Sequence, residues 1–218
     1  NVIRLDGTGA GDPPGSARIL DAAVPITPQS WIHVTVTRSG NTFTLFWNGV
    51  PVASSSRTVN LDTTASLKIG HRGSPSDTPG SLDTRGFFLN GLIDEVEIFN
   101  RALSASEIQS IFNAGSAGKC KKLAFVQPSD VILYDPLDGL TVGTLVGNPP
   151  PAFVPSVIGQ GIQPLRESIG AAVRYDIQPP SSGTILFWVK VVAPIEFYRG
   201  TNIGFYGREV GNCNDFFM

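Results

Sequence analysis

The sequence predicts an all-β, antiparallel sandwich with one short helix, and three observations predict it. WIHVTV (31–36) and TFTLFW (42–47) alternate in the period-two manner of half-buried strands. Asn48-Gly49 separates the second run from Val50-Pro51-Val52-Ala53, and that dipeptide is a strong hairpin signal because both residues tolerate positive φ. Helical periodicity, by contrast, is confined to one stretch after residue 104.

Taken in order, strands are expected near 31–37, 42–47 and 50–54, with Trp31, His33 and Thr35 on one face of the first and Phe43, Leu45 and Trp47 together on the second. A further strand fits Ser66–Gly70, and residues 71–86, rich in Gly, Pro, Ser and Asp, read as a loop. Leu92–Phe99 is a strand whose strict alternation puts Asp94, Val96 and Ile98 on one face and Ile93, Glu95, Glu97 and Phe99 on the other. Ser104-Ala-Ser-Glu107 is a capping box, Ile108, Ile111 and Phe112 form the apolar stripe behind it, and Gly115 ends the helix. Residues 118–129 read as a connector. After it come β patterns at Val131–Tyr134, Ala172–Tyr175 and Gly183–Val191, with Pro- and Gly-rich turns between them.

Composition sets the limits. The chain has 218 residues, is 41% hydrophobic and only 16% charged, and carries 24 glycines and 17 prolines. That is enough apolar matter for a sizeable core and unlike the charge-rich composition of disorder. A formal net charge of −2 without a basic block leaves no footprint for nucleic acid. No apolar run approaches a membrane span, and any secretion signal is expected to lie outside this chain. Two cysteines, Cys120 and Cys213, and two histidines, His33 and His71, do not make the common zinc spacings. A Cys120–Cys213 bond suits an oxidising compartment, but sequence does not show the two within bridging distance.

Trp31-Ile-His33-Val34, Leu45–Ala53, Leu67–Gly70 and then Asn90–Ile108, in that order, resemble the closing part of a laminin G-like domain, a concanavalin A-like jelly roll. Tyr134–Gly139, Gly159-Gln-Gly161 and Gly183–Lys190 resemble the opening strands of another. The resemblance implies a laminin G-like C-terminal part at 1–117 and an N-terminal part at 130–218, reversed in order. Either two tandem domains are each represented in part, or the parts close one permuted sandwich within a chain or between neighbours. Isolated halves would expose an apolar sheet face and open strand edges, so partnering is expected.

Asp94, placed among apolar neighbours by alternation, must be hydrogen-bonded or hold a cation. The resemblance implies a structural calcium, with Asp135 and Asp138 able to approach Asp94 if the halves combine. Trp47 and the loop residues His71, Arg72 and Asp77 are the candidate binding residues, since recognition chemistry concentrates on loops and aromatic faces. Trp47, Trp188, Phe197, Tyr198, Phe205 and Tyr206 suit sugar stacking where exposed, although alternation favours core packing for both tryptophans. Glu95 and Glu97 superficially offer the paired carboxylates of a glycosidase, yet Asp94 falls on the opposite face and the family resembled is non-catalytic. The resemblance therefore implies a secreted or cell-surface binding or adhesion module for a glycan or protein. The rivals are a structural subunit assembling through half-sandwiches and a carbohydrate-active enzyme.

Overall fold

The structure is a computed structural model, and it describes residues 2–7, 18–58, 67–70, 89, 91–115, 128–164, 169–177, 182–191, 207–209 and 212–217. The first segment contributes β1 (Val2–Gly7), β2 (Arg18–Ala23), β3 (Trp31–Ser39), β4 (Thr42–Trp47), β5 (Val50–Ser56), β6 (Leu67–Ile69), β7 (Gly91–Phe99) and α1 (Ala105–Ala114). The second contributes β8 (Val131–Asp135), β9 (Thr144–Asn148), β10 (Ala152–Pro155), β11 (Gln160–Gln163), β12 (Ile169–Tyr175), β13 (Gly183–Val191), β14 (Gly207–Glu209) and β15 (Asn212–Phe217). The chain is an all-β jelly-roll sandwich with one α-helix and a 3-10 turn, Pro128–Asp130, among the described residues.

The largest sheet has eight strands in the order β10-β11-β7-β13-β3-β4-β5, with β8 also on β7. A four-stranded sheet runs β14-β15-β1-β2 and a three-stranded one β6-β12-β9. Each of the three sheets combines strands from both segments. The deepest instance is β13, which pairs antiparallel with β3 from Gly183↔Arg38 to Lys190↔Trp31 and with β7 from Thr184↔Phe99 to Val191↔Gly91.

Alternation explains the two faces of the large sheet. Ile32, Val34, Leu45, Trp47, Phe187 and Val189 face the core, where Ile3 and Leu20 of the four-stranded sheet and Ile69, Val173 and Tyr175 of the three-stranded sheet meet them. On the other face Phe46, Phe99 and Leu186 pack with Leu103, Ile108 and Ile111 under α1. The helix forms as its sequence signature predicts. The Ser104 side chain accepts a hydrogen bond from the Glu107 amide at 3.3 Å, while the Ser104 amide donates to the Glu107 carboxylate at 2.7 Å. The Asn48-Gly49 turn adopts φ of 51° and 78°, the left-handed pair this dipeptide tolerates.

Two sequence expectations change. Strand β12 starts at Ile169 rather than 172, and β9, β10 and β11, which the sequence reads as turns, are strands of four or five residues. They are short and flanked by Pro and Gly, so no alternation long enough to register survives in them. More consequential, β7 is not uniformly alternating. Leu186 pairs with Glu97 but Trp188 pairs with Asp94, so three residues of β7 span the step that two residues of β13 make. Glu95, with φ of 55°, sits in this bulge. Ile93 before it and Val96 and Ile98 after it therefore all enter the core. Asp94 is registered with Trp188 on the helix-covered face instead of sharing a face with Val96 and Ile98.

Candidate functional site

The bulge in β7 coincides with a change of neighbour. Along its edge away from β13, β7 pairs with β11 at Ile93↔Ile162 and with β8 from Val96↔Asp135 to Phe99↔Val131. Asp94 and Glu95 lie at the junction between the two, and side chains and turns of the second segment fill it. The turn after β10 closes with the Ser156 amide donating to the Gly159 carbonyl at 3.1 Å. From that turn the Ser156 hydroxyl, at 2.7 Å, and the Ile158 amide, at 3.1 Å, donate to Asp94 Oδ2. The Gln160 amide donates to Asp138 Oδ1 at 2.6 Å. Tyr134, across from Glu97 on β8, hydrogen-bonds the Glu95 carboxylate.

Burial sets the electrostatics here. Asp94 and Glu95 are 0% and 1% exposed, and Asp94 Oδ1 is buried with no hydrogen-bond partner. Desolvation pushes the Asp94 carboxyl up to about 6, against the lowering effect of the bonds from Ser156 and Ile158. The Tyr134 hydroxyl is raised by burial and then by the carboxylates of Glu95, Glu97 and Asp138. Because the folded state holds the Asp94 proton more tightly than the unfolded chain does, the Asp94 contribution to stability falls as pH rises from 3.8 to about 6 and is level above that. Asp94→Asn, which cannot ionise, is expected to flatten the stability profile across this window. Denaturant midpoints of both proteins at closely spaced pH values measure the difference. An unchanged slope would place the ionisation elsewhere.

Asp135 is a second buried carboxylate with a different role. It accepts from the Leu137 amide at 3.1 Å, from the Tyr175 hydroxyl at 2.9 Å and from the Thr141 hydroxyl. Burial, then the Asp135 charge, raise the Tyr175 hydroxyl. The Asp135 side chain thus ties the end of β8 to its following turn and to β12.

The three aspartates do not assemble a calcium site. Calcium takes about six to eight oxygens, whereas Asp135 receives three donors of its own chain, and Asp94 and Asp138 each accept backbone amides. Among the described residues no group of three or more His, Cys, Asp and Glu side chains could hold a metal ion. Nor do the carboxylates of β7 form an open acid and base pair. The register puts Asp94 and Glu97 across from Trp188 and Leu186, on one face, where strict alternation separates them. Asp94 is nonetheless fully buried and hydrogen-bonded to the β10–β11 turn, beyond the reach of a substrate.

Residues 4–109 match the family model described as the concanavalin A-like lectin/glucanases superfamily, in its laminin G-like form. This part of the chain belongs to the laminin G-like family. No curated protein and no solved structure matches the chain. The laminin G-like match ends inside α1, so it takes in the bulged strand and its three acidic residues, Asp94, Glu95 and Glu97. The superfamily supports a carbohydrate- or protein-binding module in general terms.

Trp47 of this laminin G-like segment is 6% exposed and part of the core. Its ring is not presented to a ligand, and it takes the packing role that alternation favours. Trp188 lies beneath α1, with its ring 5.0 Å from His33 and 5.8 Å from Phe112. His33 is thereby a packed residue whose Nδ1 meets the Thr35 hydroxyl at 3.4 Å. His71, Arg72, Asp77, Cys120, Phe197, Tyr198, Phe205 and Tyr206 lie outside the described residues. Sequence reasoning missed Tyr134 and Ser156 as partners of the acidic pair. The turn residues Pro155, Ser156 and Gly159 were the available signal for the latter, but nothing in the linear pattern connects them to a strand more than sixty residues earlier.

No helix among the described residues is long and apolar enough to cross a membrane.

Proposed function

We propose that the chain is a non-catalytic extracellular module, secreted or held at a cell surface, that binds a glycan or a protein in adhesion. The observation that carries this reading is the condition of its carboxylates. In a superfamily of lectins and glucanases, a hydrolytic member needs two carboxyl groups flanking a substrate. Here Asp94, Glu95 and Asp135 are buried, and Asp94 and Asp135 hold turns of the chain itself in place. Recognition then falls to loops and surface side chains, which this fold can vary without disturbing its core.

The test is a screen of the purified chain against immobilised glycans and extracellular proteins, with hydrolysis of polysaccharides assayed in parallel. Saturable binding with no released sugar supports the reading, and Glu97→Gln, on a half-buried side chain, should leave that binding in place. Hydrolysis that either Glu95→Gln or Glu97→Gln abolishes would replace it with the enzyme reading. Each binding arm is run with calcium and with chelator, so that a cation requirement of the binding itself is read directly.

A further inference from the structure

The interleaving of the two segments has a consequence for assembly. Strand β13 belongs to the second segment, yet its two ladder neighbours, β3 and β7, are both from the first. Without β13 the large sheet would fall into two pieces with two open ladder edges, and Phe187 and Val189 would leave the core. Its seat is specific to sequence. Trp188 fits between His33 and Phe112. The Thr184 hydroxyl accepts from the Leu103 amide at 2.8 Å and donates to the Arg101 carbonyl at 2.9 Å. Asp94 awaits Ser156 and Ile158 of the same segment. A foreign strand would reproduce the ladder but not this set of partners, so the seat is matched to β13 and the β10–β11 turn of this sequence.

We infer that residues 128–218 form a donatable segment, and that a second copy of this chain completes the same sandwich in exchange. The closed and exchanged forms share the contacts described within the sandwich and differ in which chain supplies the second segment. The start of the second segment is seated on the first, and an exchanged segment would meet the same partners there. Arg101, at the end of β7, donates to Asp130 at 2.8 Å and to Glu107 of α1 at 2.7 Å, and the Asn100 amide donates to the Asp130 carbonyl at 2.8 Å. Closure wins at low concentration because the tethered segment has the higher effective concentration. Exchange wins when many chains fold together. Because β13 is a central strand, the two forms interconvert only through unfolding.

The experiment refolds the full chain from denaturant at low and at high concentration, then measures molar mass by light scattering after dilution to a common value. The expected masses are 23.2 kDa for the dilute refold and twice that for the concentrated one, the latter persisting on dilution. Two differently labelled pools should form mixed dimers when refolded together and none when mixed after folding. Deleting Ser116–Lys119 should raise the dimer fraction, since a shortened hinge favours exchange. Monomer at every concentration, in both the wild-type chain and the deletion, overturns the inference. Dimers that dissociate on dilution or trade subunits without unfolding overturn it as well, since they would be surface contacts.

Discussion

Phe187→Ala will destabilise the whole chain by about 3–5 kcal/mol, the range for removing a buried phenylalanine side chain. Phe187 is fully buried in the middle of β13, directly across from Val34 of β3, and packs in the main core. Truncation removes apolar contacts on which strands of both segments depend, and the sheet around it is paired on both sides, so the cavity has little freedom to collapse. A loss of that size is a large fraction of the roughly 5–15 kcal/mol that stabilises a typical domain. Both segments should lose stability together in one transition. Val50→Ala on β5, where the side chain is 53% exposed, should change stability by no more than about 0.5 kcal/mol. Urea unfolding followed by tryptophan fluorescence measures both, since Trp47 reports on the first segment and Trp188 on the second. Two separate transitions, with only the second shifted by Phe187→Ala, would contradict the packing described.

Asp135→Ala is expected to cost about 3 kcal/mol, because orphaned buried donors cost about 1–3 kcal/mol each and this carboxylate serves three. The Leu137 amide and the Tyr175 hydroxyl are left in the interior, while Thr141, only half-buried, regains water. Tyr175→Phe should cost less. It removes a donor and leaves Asp135 with two others, and the phenyl ring still fills the space of a side chain that is 2% exposed. The order of the two losses separates the hydrogen-bonding role from simple packing, since packing alone would make the larger Tyr175 the more sensitive site. Thermal unfolding of the two variants at one pH gives the comparison.

The sequence discloses those parts of the fold that are locally determined. Alternating β-branched and aromatic residues mark β3, β4 and β13, the Asn48-Gly49 turn fixes the β4–β5 hairpin, and the capping box sets the start of α1. The site was less legible. Asp94 and Asp135 stand out as carboxylates in apolar surroundings, but their partners do not. A strand reading assumes an unbroken period of two, and no residue in Asp94-Glu95-Val96 announces a left-handed backbone at Glu95. That one bulge moves Asp94 away from the face of Val96 and Ile98 and puts it on the face of Glu97. The partners Ser156 and Ile158 come from a segment whose pairing with β7 is set by the tertiary fold. Calcium, implied by resemblance, met the same difficulty in reverse. In the fold the three aspartates accept hydrogen bonds from the chain.

The central claim is that one sandwich is built from both segments, with β13 seated between β3 and β7. The most direct measurement introduces a specific protease site between Gly118 and Gln127, cleaves the folded chain there at low concentration, and determines molar mass and unfolding of the product. The account predicts that the cut chain keeps a mass of 23.2 kDa under native conditions and unfolds in a single transition. Two fragments that separate without denaturant, each retaining its own unfolding transition, would contradict it.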